Sequence, residues 1–480
     1  MSSISKAFLT LAAFAMLCLS LSPAADAQSG VTTHTGSLPD GATYLIEVPA
    51  NWNGTLFLYS HGFVAPGGAN PAQDVGDPVT RSYMLSNGFA LAGSSYATTG
   101  WAIHEALPDQ IAVLDLFKQL AGAPKRTIAW GHSLGGMVTA GLIQGYPARF
   151  DAALPMCGVL SGGVATWNTA LDFGFAFKTL LAPDTGLQVV NIRDPIGNLL
   201  LAEAALTFAQ ATPRGRARLA LVAALVDGPG WFLPTSPEPA PTDFAAREFN
   251  QFLWAQTIDF PFVFAARTEL ELRAGGNPSF NTGVDYAALL ANSINRDEVT
   301  ALYEEAGLDL NADLQTLQNT ARIGADPNAL HYLETNIIFD GQINVPVLTV
   351  HTQGDGLVLV QNESAYKSVV DAAGNSALLR QAFVHRAGHC AITPGETAAA
   401  VQALLSRLDT GAWGALDAAS MNSAASAVGP ALNVFPTPLG ALPVQPAYRD
   451  YTPAPYLRPY DAFSPECQSD PVCRAQFTAP

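Results

Sequence analysis

The amino-acid sequence predicts a mostly parallel β-sheet flanked by α-helices. Three observations support this prediction. Short apolar runs alternate with helical patterns from residue 40 to 160, and the same alternation returns from residue 343 to 410. Between these two regions, helical periodicity dominates and strand signals are scarce. The 480 residues, 49% hydrophobic and only 13% charged, can bury a large core and exclude a disordered tail or a coiled coil.

The strands are predicted from short apolar runs bounded by turn-forming residues. They are Tyr44–Val48, Thr55–Tyr59, Ala90–Ser94, Thr127–Gly131, Ala153–Cys157, Val345–His351 and Gln381–Val384. Apolar residues at helical spacing predict the covering helices Ile103–Leu120, Met137–Gln144, Ala365–Ala373 and Pro394–Leu408.

The first 27 residues have the composition of an export signal. Lys6 precedes the apolar run Ala7–Leu21, and a small-residue cleavage site follows at Ala25-Asp26-Ala27. We therefore expect a signal peptide over residues 1–27, cleavage near Ala27, and a secreted or periplasmic protein. An N-terminal membrane helix is the alternative, but the apolar run is short for it. No later stretch predicts a membrane span.

The rest of the chain divides into four predicted segments. Residues 28–160 and 343–410 form the two halves of an α/β core. Residues 161–342, called the insertion below, are predicted to be helical and to lie over the sheet as a lid, and five prolines in Gly228–Pro241 divide them into two groups. Residues 411–480 are rich in proline and are expected to wrap the surface in extended form.

The charge balance and the missing motifs exclude several classes of ligand. Lys plus Arg total 23 against 40 Asp plus Glu, and the net charge of −17 opposes binding to nucleic acid or to anionic lipid. The sequence has no H-E-x-x-H, C-x-x-C or EF-hand pattern for a metal, and no G-x-G-x-x-G or P-loop for a nucleotide. We therefore expect neither a metal nor a cofactor.

A serine flanked by glycines lies between a predicted strand and a predicted helix. The segment reads Gly131-His132-Ser133-Leu134-Gly135. Small residues two positions either side of the serine suit the crowded, strained turn that exposes a nucleophile. The following helix directs its first amide groups at the reacting oxygen. We interpret Ser133 as a nucleophile; the alternative is a glycine-rich turn with a solvent-facing serine.

A nucleophilic serine needs a base, and the base needs an orienting acid. Asp355 follows the strand Val345–His351, and His389 follows the strand Gln381–Val384. Both therefore lie at the carboxyl ends of strands, where open α/β sheets build their sites. The order serine, aspartate, histidine predicts that Asp355 is the acid and His389 the base.

Other residues are candidates for the roles of base and orienting acid. His385, four residues before His389, is the best alternative base. Asp340 precedes its strand and would emerge at the opposite edge of the sheet. Glu363 and Asp371 fall on a predicted helix and are expected to face solvent.

The order and surroundings of these residues resemble the α/β-hydrolase family. The matching segments are Gly131–Gly135 around the nucleophile, Gly354-Asp355 for the acid and Gly388-His389 for the base, and the resemblance covers residues 40 to 160 and 343 to 410. His61-Gly62-Phe63 is similar to the family's oxyanion element, although one glycine follows His61 in place of a run of three. The resemblance implies that the backbone N–H groups of Phe63 and Leu134 hold the developing oxyanion.

The predicted activity is hydrolysis of a small-molecule or polymeric carboxylic ester through an acyl-enzyme on Ser133. A peptidase or amidase of the same fold is an alternative, since both reactions pass through a tetrahedral intermediate. A non-catalytic binding protein that keeps the fold is another. Tyr96 and Trp101 follow the strand Ala90–Ser94 on the catalytic side and are predicted to contact substrate, with core packing as the alternative.

Four cysteines remain after the predicted signal is removed. Cys467 and Cys473 flank an Asp-Pro turn and are predicted to form a disulfide. Since His389 must reach Ser133, Cys390 is carried toward the end of the strand that bears Cys157. Two alternatives stay open for this second pair: a bridge or two buried free thiols. Some tannase-like and feruloyl-esterase-like hydrolases bridge a cysteine beside the histidine to one directly before the serine, where this chain has His132.

Overall fold

The structure is a computed structural model that describes residues 30–437 and 440–477. Within these ranges nine strands form a central sheet of order β1-β2-β4-β3-β5-β6-β7-β8-β11, and β9 and β10 form a separate hairpin. The strands are β1 Val31–Ser37, β2 Thr43–Pro49, β3 Thr55–Ser60, β4 Ala90–Ser94, β5 Arg126–His132, β6 Ala152–Met156, β7 Val347–Gly354, β8 Leu379–Ala387, β9 Val434–Thr437, β10 Gly440–Pro443 and β11 Tyr448–Arg449.

The central strands of the sheet are parallel. Strands β4, β3, β5, β6, β7 and β8 pair in parallel, whereas β1, β2 and β11 pair antiparallel at the two edges. The predicted mostly parallel sheet is confirmed, and all seven predicted strands are present with ends that differ by at most three residues. Strand β1 was not predicted because it is an edge strand with mostly exposed side chains and no apolar run.

Helices cover both faces of the sheet and fill the insertion. They are α1 Pro78–Ser86, α2 Ile103–Ala121, α3 Leu134–Gly145, α4 Gly162–Leu181, α5 Pro195–Gln210, α6 Pro213–Ala224, α7 Phe244–Trp254, α8 Arg267–Ala274, α9 Tyr286–Asn292, α10 Arg296–Ala306, α11 Leu310–Asn319, α12 Pro327–Thr335, α13 Asn362–Ala372, α14 Pro394–Thr410, α15 Ala418–Ala427, α16 Pro465–Ser469 and α17 Pro471–Ala475.

Alternate side chains of each strand point to opposite faces of the sheet. Leu58 and its neighbours pack against α2, α3 and α13 on one face. Phe57 and Trp130 pack against α1, α14 and α15 on the other. The sheet is therefore buried on both sides, as expected for parallel strands joined by crossover helices.

The chain between β6 and β7 is helical and has a hydrophobic core of its own. This core contains Leu171, Phe177, Leu206, Phe260 and Tyr303, among others. Helix α7 continues through two π-helical segments, Ala255–Asp259 and Phe262–Ala266, before α8 begins. Proline at position 261 separates these segments and lacks the N–H that an ordinary helical hydrogen bond needs.

The chain after residue 410 differs from the extended surface wrap that the sequence predicts. It forms helix α15, the β9–β10 hairpin, the edge strand β11 and two short helices. Tyr448 in β11 is buried, and its hydroxyl donates to Glu396 O at 2.7 Å. The segment is therefore not extended throughout, and at the edge of β8, which offers unpaired backbone groups, it adds the strand β11.

Two expectations concern membranes and export. The predicted signal peptide, residues 1–27, lies outside the described residues. Across the described ranges, no helix combines the length and the apolar character that crossing a bilayer requires.

Candidate active site

Ser133 lies on a strained turn between β5 and α3. Its backbone has φ 58° and ψ −125°, in the positive-φ region that L-residues seldom occupy. Ser133 N donates to Met156 O at 3.0 Å, so the turn is tied to the end of β6. The strain and the hydrogen bond together hold the Ser133 hydroxyl at the carboxyl edge of the sheet.

Glycines around this turn allow the backbone to pack closely. A Cβ atom at Gly135 would lie 1.9 Å from Ser60 O, and one at Gly131 would lie 2.5 Å from the same oxygen. A Cβ atom at Gly62 would lie 3.3 Å from Ser133 Cβ. The turn after β3 and the turn after β5 therefore meet, and only glycine fits at the contact.

The structure brings His389 and Asp355 to Ser133. His389 Nε2 lies 2.8 Å from Ser133 Oγ, and His389 Nδ1 lies 2.8 Å from Asp355 Oδ2. The second Asp355 oxygen accepts from the backbone N–H groups of Leu357 and Val358, at 3.0 and 2.9 Å. The aspartate is thus fixed at both oxygens and can orient the imidazole.

The loop that carries His389 is tied to the neighbouring strand. Gly388 N donates to Gly354 O at 3.0 Å, and Thr352 Oγ1 donates to Gly388 O at 2.8 Å. A disulfide joins Cys390 to Cys157, which directly follows β6. Of the two alternatives for this pair, the structure contains the bridge. A second disulfide joins Cys467 to Cys473, between α16 and α17.

Phe63 and Leu134 lie on the two turns that meet at Ser133. Leu134 is the first residue of α3, and Phe63 follows Gly62 on the turn after β3. Tyr96 packs against the turn after β3. Its hydroxyl donates to His61 O at 2.9 Å, and its ring stacks on the His61 ring with 3.9 Å between the ring centroids. The Tyr96 contacts therefore hold the turn that carries Phe63.

A mostly apolar cavity opens on Ser133 beneath the insertion. It encloses about 1060 Å³, including the part open to solvent, and its wall contains Trp167, Phe173, Trp254, Phe262 and Val263 from the insertion.

Of the two aromatic residues predicted to contact substrate, Trp101 lines this cavity and Tyr96 does not. Tyr96 is 1% exposed because it packs under the His61 turn. It supports this turn, and the predicted contact with substrate was wrong. Tyr456, from the C-terminal segment, also lines the cavity, and its hydroxyl lies 3.0 Å from Thr169 Oγ1. Sequence analysis missed Tyr456 because nothing in a proline-rich tail indicates that it returns to the site.

The alternative base and acids have other partners. His385 Nδ1 lies 2.8 Å from Gln353 Oε1, and its ring packs against Trp231, away from Ser133. Asp371 pairs with Lys367 on α13. His132, next to the serine, has its pKa lowered to about 4 by burial and by the nearby His389.

A buried His351–Glu363 pair supports Asp355. His351 Nδ1 lies 3.1 Å from Glu363 Oε1, and its Nε2 donates to Val358 O at 2.8 Å. Burial opposes charging of His351, but the Glu363 carboxylate outweighs it and raises the pKa of His351. The expectation that Glu363 faces solvent was wrong: Glu363 is fully buried beside β7. A strand-end histidine and a helical glutamate gave no sequence signal for this pairing.

The site contains no recognisable metal centre in the part of the chain that the structure describes, where no three His, Cys, Asp or Glu side chains are grouped as ligands. A mostly parallel sheet with a serine, a histidine and an aspartate joined by hydrogen bonds at its carboxyl edge defines a serine hydrolase of the α/β-hydrolase fold.

Comparison with known proteins agrees with this class. A family model described as the prolyl oligopeptidase family matches residues 93–186. The o-phthalyl amidase of Xanthobacter agilis is 31% identical over 427 residues, which cover 82% of this chain and 91% of the relative. The chain therefore belongs to the same family of α/β-hydrolase serine hydrolases as this amidase.

The solved structures to which the chain is similar have much lower identity. Feruloyl esterase B from Aspergillus oryzae is 13% identical, with 80% of this chain and 81% of that chain covered and a TM-score of 0.42. Another esterase from Aspergillus oryzae is 15% identical, with 79% and 80% covered and a TM-score of 0.43. A rice cell wall degrading esterase from Xanthomonas oryzae is 13% identical, with 73% and 81% covered and a TM-score of 0.33.

Proposed function

We propose that this chain hydrolyses carboxylic esters through an acyl-enzyme formed on Ser133. The observation that carries the proposal is the continuous hydrogen-bonded chain from Ser133 Oγ through His389 to Asp355, with both contacts at 2.8 Å. Such a chain converts a weakly nucleophilic hydroxyl into an effective nucleophile.

The proposed reaction uses each group at a stated atom. Ser133 Oγ attacks the carbonyl carbon as its proton passes to His389 Nε2. Asp355 Oδ2 accepts from His389 Nδ1–H and stabilises the imidazolium. The N–H groups of Phe63 and Leu134 donate to the oxyanion. His389 then protonates the leaving group, and water repeats the sequence to release the acid.

Amide hydrolysis is the second candidate. It is favoured by one observation, the 31% identity to a relative named as an amidase. The two candidates share the acyl-enzyme and differ in how much acid assistance the leaving group needs. An alkoxide or phenolate leaves with less assistance than an amine, so a site competent for amides also cleaves the corresponding activated esters. Ester hydrolysis is therefore the proposal that both candidates imply.

We also propose that the insertion acts as a lid that selects the substrate. Support comes from the cavity wall, to which the insertion contributes Trp167, Phe173, Trp254 and Phe262. We propose in addition that the protein is exported to the periplasm or the medium. The two disulfides are compatible with an oxidising compartment.

The test compares two histidine variants on matched substrates. Nitrophenyl esters of graded chain length and the corresponding nitroanilides are offered to the unmodified chain, to His389→Ala and to His385→Ala. We expect ester hydrolysis that falls by several orders of magnitude in His389→Ala and stays near the unmodified rate in His385→Ala. The reverse result would show that His385, and not His389, is the base. The ratio of ester to anilide rates decides between the two candidates, and labelling by a fluorophosphonate separates both from a binding protein.

A further inference from the structure

One carboxyl group lines the cavity without a partner. Asp259 is the last residue of the first π-helical segment, and it faces the same cavity as Ser133. Asp259 is the one residue with a carboxyl group among the described residues of the cavity wall, and these residues include neither lysine nor arginine. Its side chain makes no hydrogen bond or ion pair with any described residue.

Several other polar side chains of the cavity wall bind protein groups. Thr169 pairs with Tyr456 at 3.0 Å, and Asn362 Nδ2 donates to Leu359 O at 2.9 Å. On the same wall, Gln251 Oε1 and the indole Nε1 atoms of Trp101 and Trp167 are buried without a hydrogen bond. Asp259 is the carboxyl group among these unpaired polar groups, and its oxygens remain available to a molecule in the cavity.

Two further features set Asp259 apart. Its segment is π-helical, a widened helical geometry that occurs frequently at functional sites. Removal from bulk water and the negative charge of Asp355 raise the pKa of Asp259 to about 8.

We propose that Asp259 is a specificity-determining residue that selects substrates whose acyl or leaving group carries a hydroxyl or amino hydrogen-bond donor. This inference rests on the proposed function, because it assigns a substrate contact in the same cavity. A carboxyl group offers an acceptor in both protonation states: through both oxygens when ionised and through its carbonyl oxygen when neutral.

The test uses ratios between matched substrates. Nitrophenyl benzoate is compared with its hydroxymethyl and aminomethyl derivatives, and a second series carries these groups on the phenol. In the unmodified chain we expect kcat/KM to be about tenfold higher for the hydroxymethyl and aminomethyl esters than for the parent ester of the favoured series, the gain of one hydrogen bond to a carboxyl group.

Two substitutions of Asp259 and one control substitution test its role. In Asp259→Leu both donor preferences should fall to near unity. In Asp259→Asn, which keeps an acceptor but cannot ionise to pair with an ammonium group, the hydroxymethyl preference should persist and the aminomethyl preference should disappear. Glu305→Gln removes a carboxylate from the exposed surface of the insertion and should keep both preferences. Unchanged ratios in Asp259→Leu would overturn the proposal.

A binding measurement separates this proposal from the proposed function. In the Ser133→Ala background, the Kd of each uncleaved ester is measured by calorimetry with and without Asp259→Asn. Loss of the aminomethyl preference supports the role of Asp259 even if the unmodified chain hydrolyses no ester, an outcome that would refute the ester proposal alone. Equal Kd values for the parent and donor-bearing esters in the Ser133→Ala background would overturn the role of Asp259 alone.

Discussion

The edge of the sheet and the insertion hold their polar side chains in contrasting ways. At the edge, Asp355 is fixed at both oxygens, by His389 and by two backbone N–H groups. In the insertion, one oxygen of Glu248 and one of Glu298 are buried without a hydrogen bond, and Asp259 has no partner. The edge therefore fixes one arrangement of the Asp355 carboxylate, whereas these three carboxyl groups of the insertion keep at least one oxygen without a partner.

This difference indicates a division of labour. Turns that directly follow strands set the reacting groups, so their geometry depends on local backbone and on the parallel sheet. The cavity wall depends on helices that are distant in the sequence, together with Tyr456 from the C-terminal segment. We therefore propose that the edge of the sheet sets the chemistry and that the insertion sets the choice of substrate.

The largest expected effect is at Ser133. Ser133→Ala should lower kcat by about 10⁶, because removal of a triad nucleophile costs this much in serine hydrolases. The fold should persist, since the substitution removes one oxygen and leaves Ser133 N bonded to Met156 O. Steady-state kinetics on the best ester, with circular dichroism as the folding control, measures this. Activity within tenfold of that of the unmodified chain would show that Ser133 is not the nucleophile.

Asp355→Asn should have the next largest effect. The amide can present an N–H to His389 Nδ1, which favours the wrong tautomer of the imidazole, and a loss of about 10⁴ in kcat is expected. The matched control is Asp371→Asn, on a carboxylate that pairs with Lys367 on α13, away from the triad. Equal losses in both variants would show that Asp355 has no special role.

A smaller loss is expected from the residue behind Asp355. His351→Gln weakens the contact to Val358 O, which helps to hold the loop that carries Asp355. We expect kcat to fall by roughly tenfold to a hundredfold through misplacement of the acid, with KM little changed. A parallel change in KM, or a loss of stability without loss of kcat, would assign His351 to folding alone.

The two disulfides provide a matched pair. Replacing both Cys157 and Cys390 by serine releases a link across 233 residues, whereas the link between Cys467 and Cys473 spans 6. In the chain-entropy model the long link contributes up to about 5 kcal/mol to the free energy of unfolding. We expect the first double variant to lose stability and several-fold in kcat, since His389 is adjacent to Cys390, and the second to keep its kcat. Denaturant unfolding and ester kinetics test both.

The smallest expected effect concerns pH and the insertion. Burial raises the pKa of Glu248 to about 7 and that of Glu298 to about 6. In the unfolded chain these two carboxyl groups lose their protons at about pH 4. The stability that the protonated carboxyl groups contribute to the folded chain is therefore complete below that pH, and it is lost as the pH rises through about 6 to 7.

Hydrogen exchange measures this effect region by region. Between pH 5 and 8, the free energy of opening should fall in α7 and α10 as the pH rises. Glu248→Gln should reduce the pH dependence in α7, and Glu305→Gln should leave it unchanged. An unchanged pH dependence of α7 in Glu248→Gln would show that this carboxyl group is not its cause.

Sequence reasoning located the sheet and the three residues at its edge because these depend on local rules. The predicted strands end at His351 and Val384, and the observed strands end three residues later, so Asp355 and His389 follow strand ends in both. The His351–Glu363 pair, Asp259 and Tyr456 gave no such signal. Each depends on packing between segments far apart in the chain, and a carboxyl group on a helix looks the same whether it faces solvent or a cavity.

Trapping the covalent intermediate tests the central claim most directly. A slowly deacylating aryl ester is mixed with the chain, quenched with acid within the first turnover, and the digest is analysed by mass spectrometry. The account predicts the mass of one acyl group on the peptide that contains Ser133, with no adduct in Ser133→Ala. Turnover with no adduct, or an adduct on another residue, would contradict it.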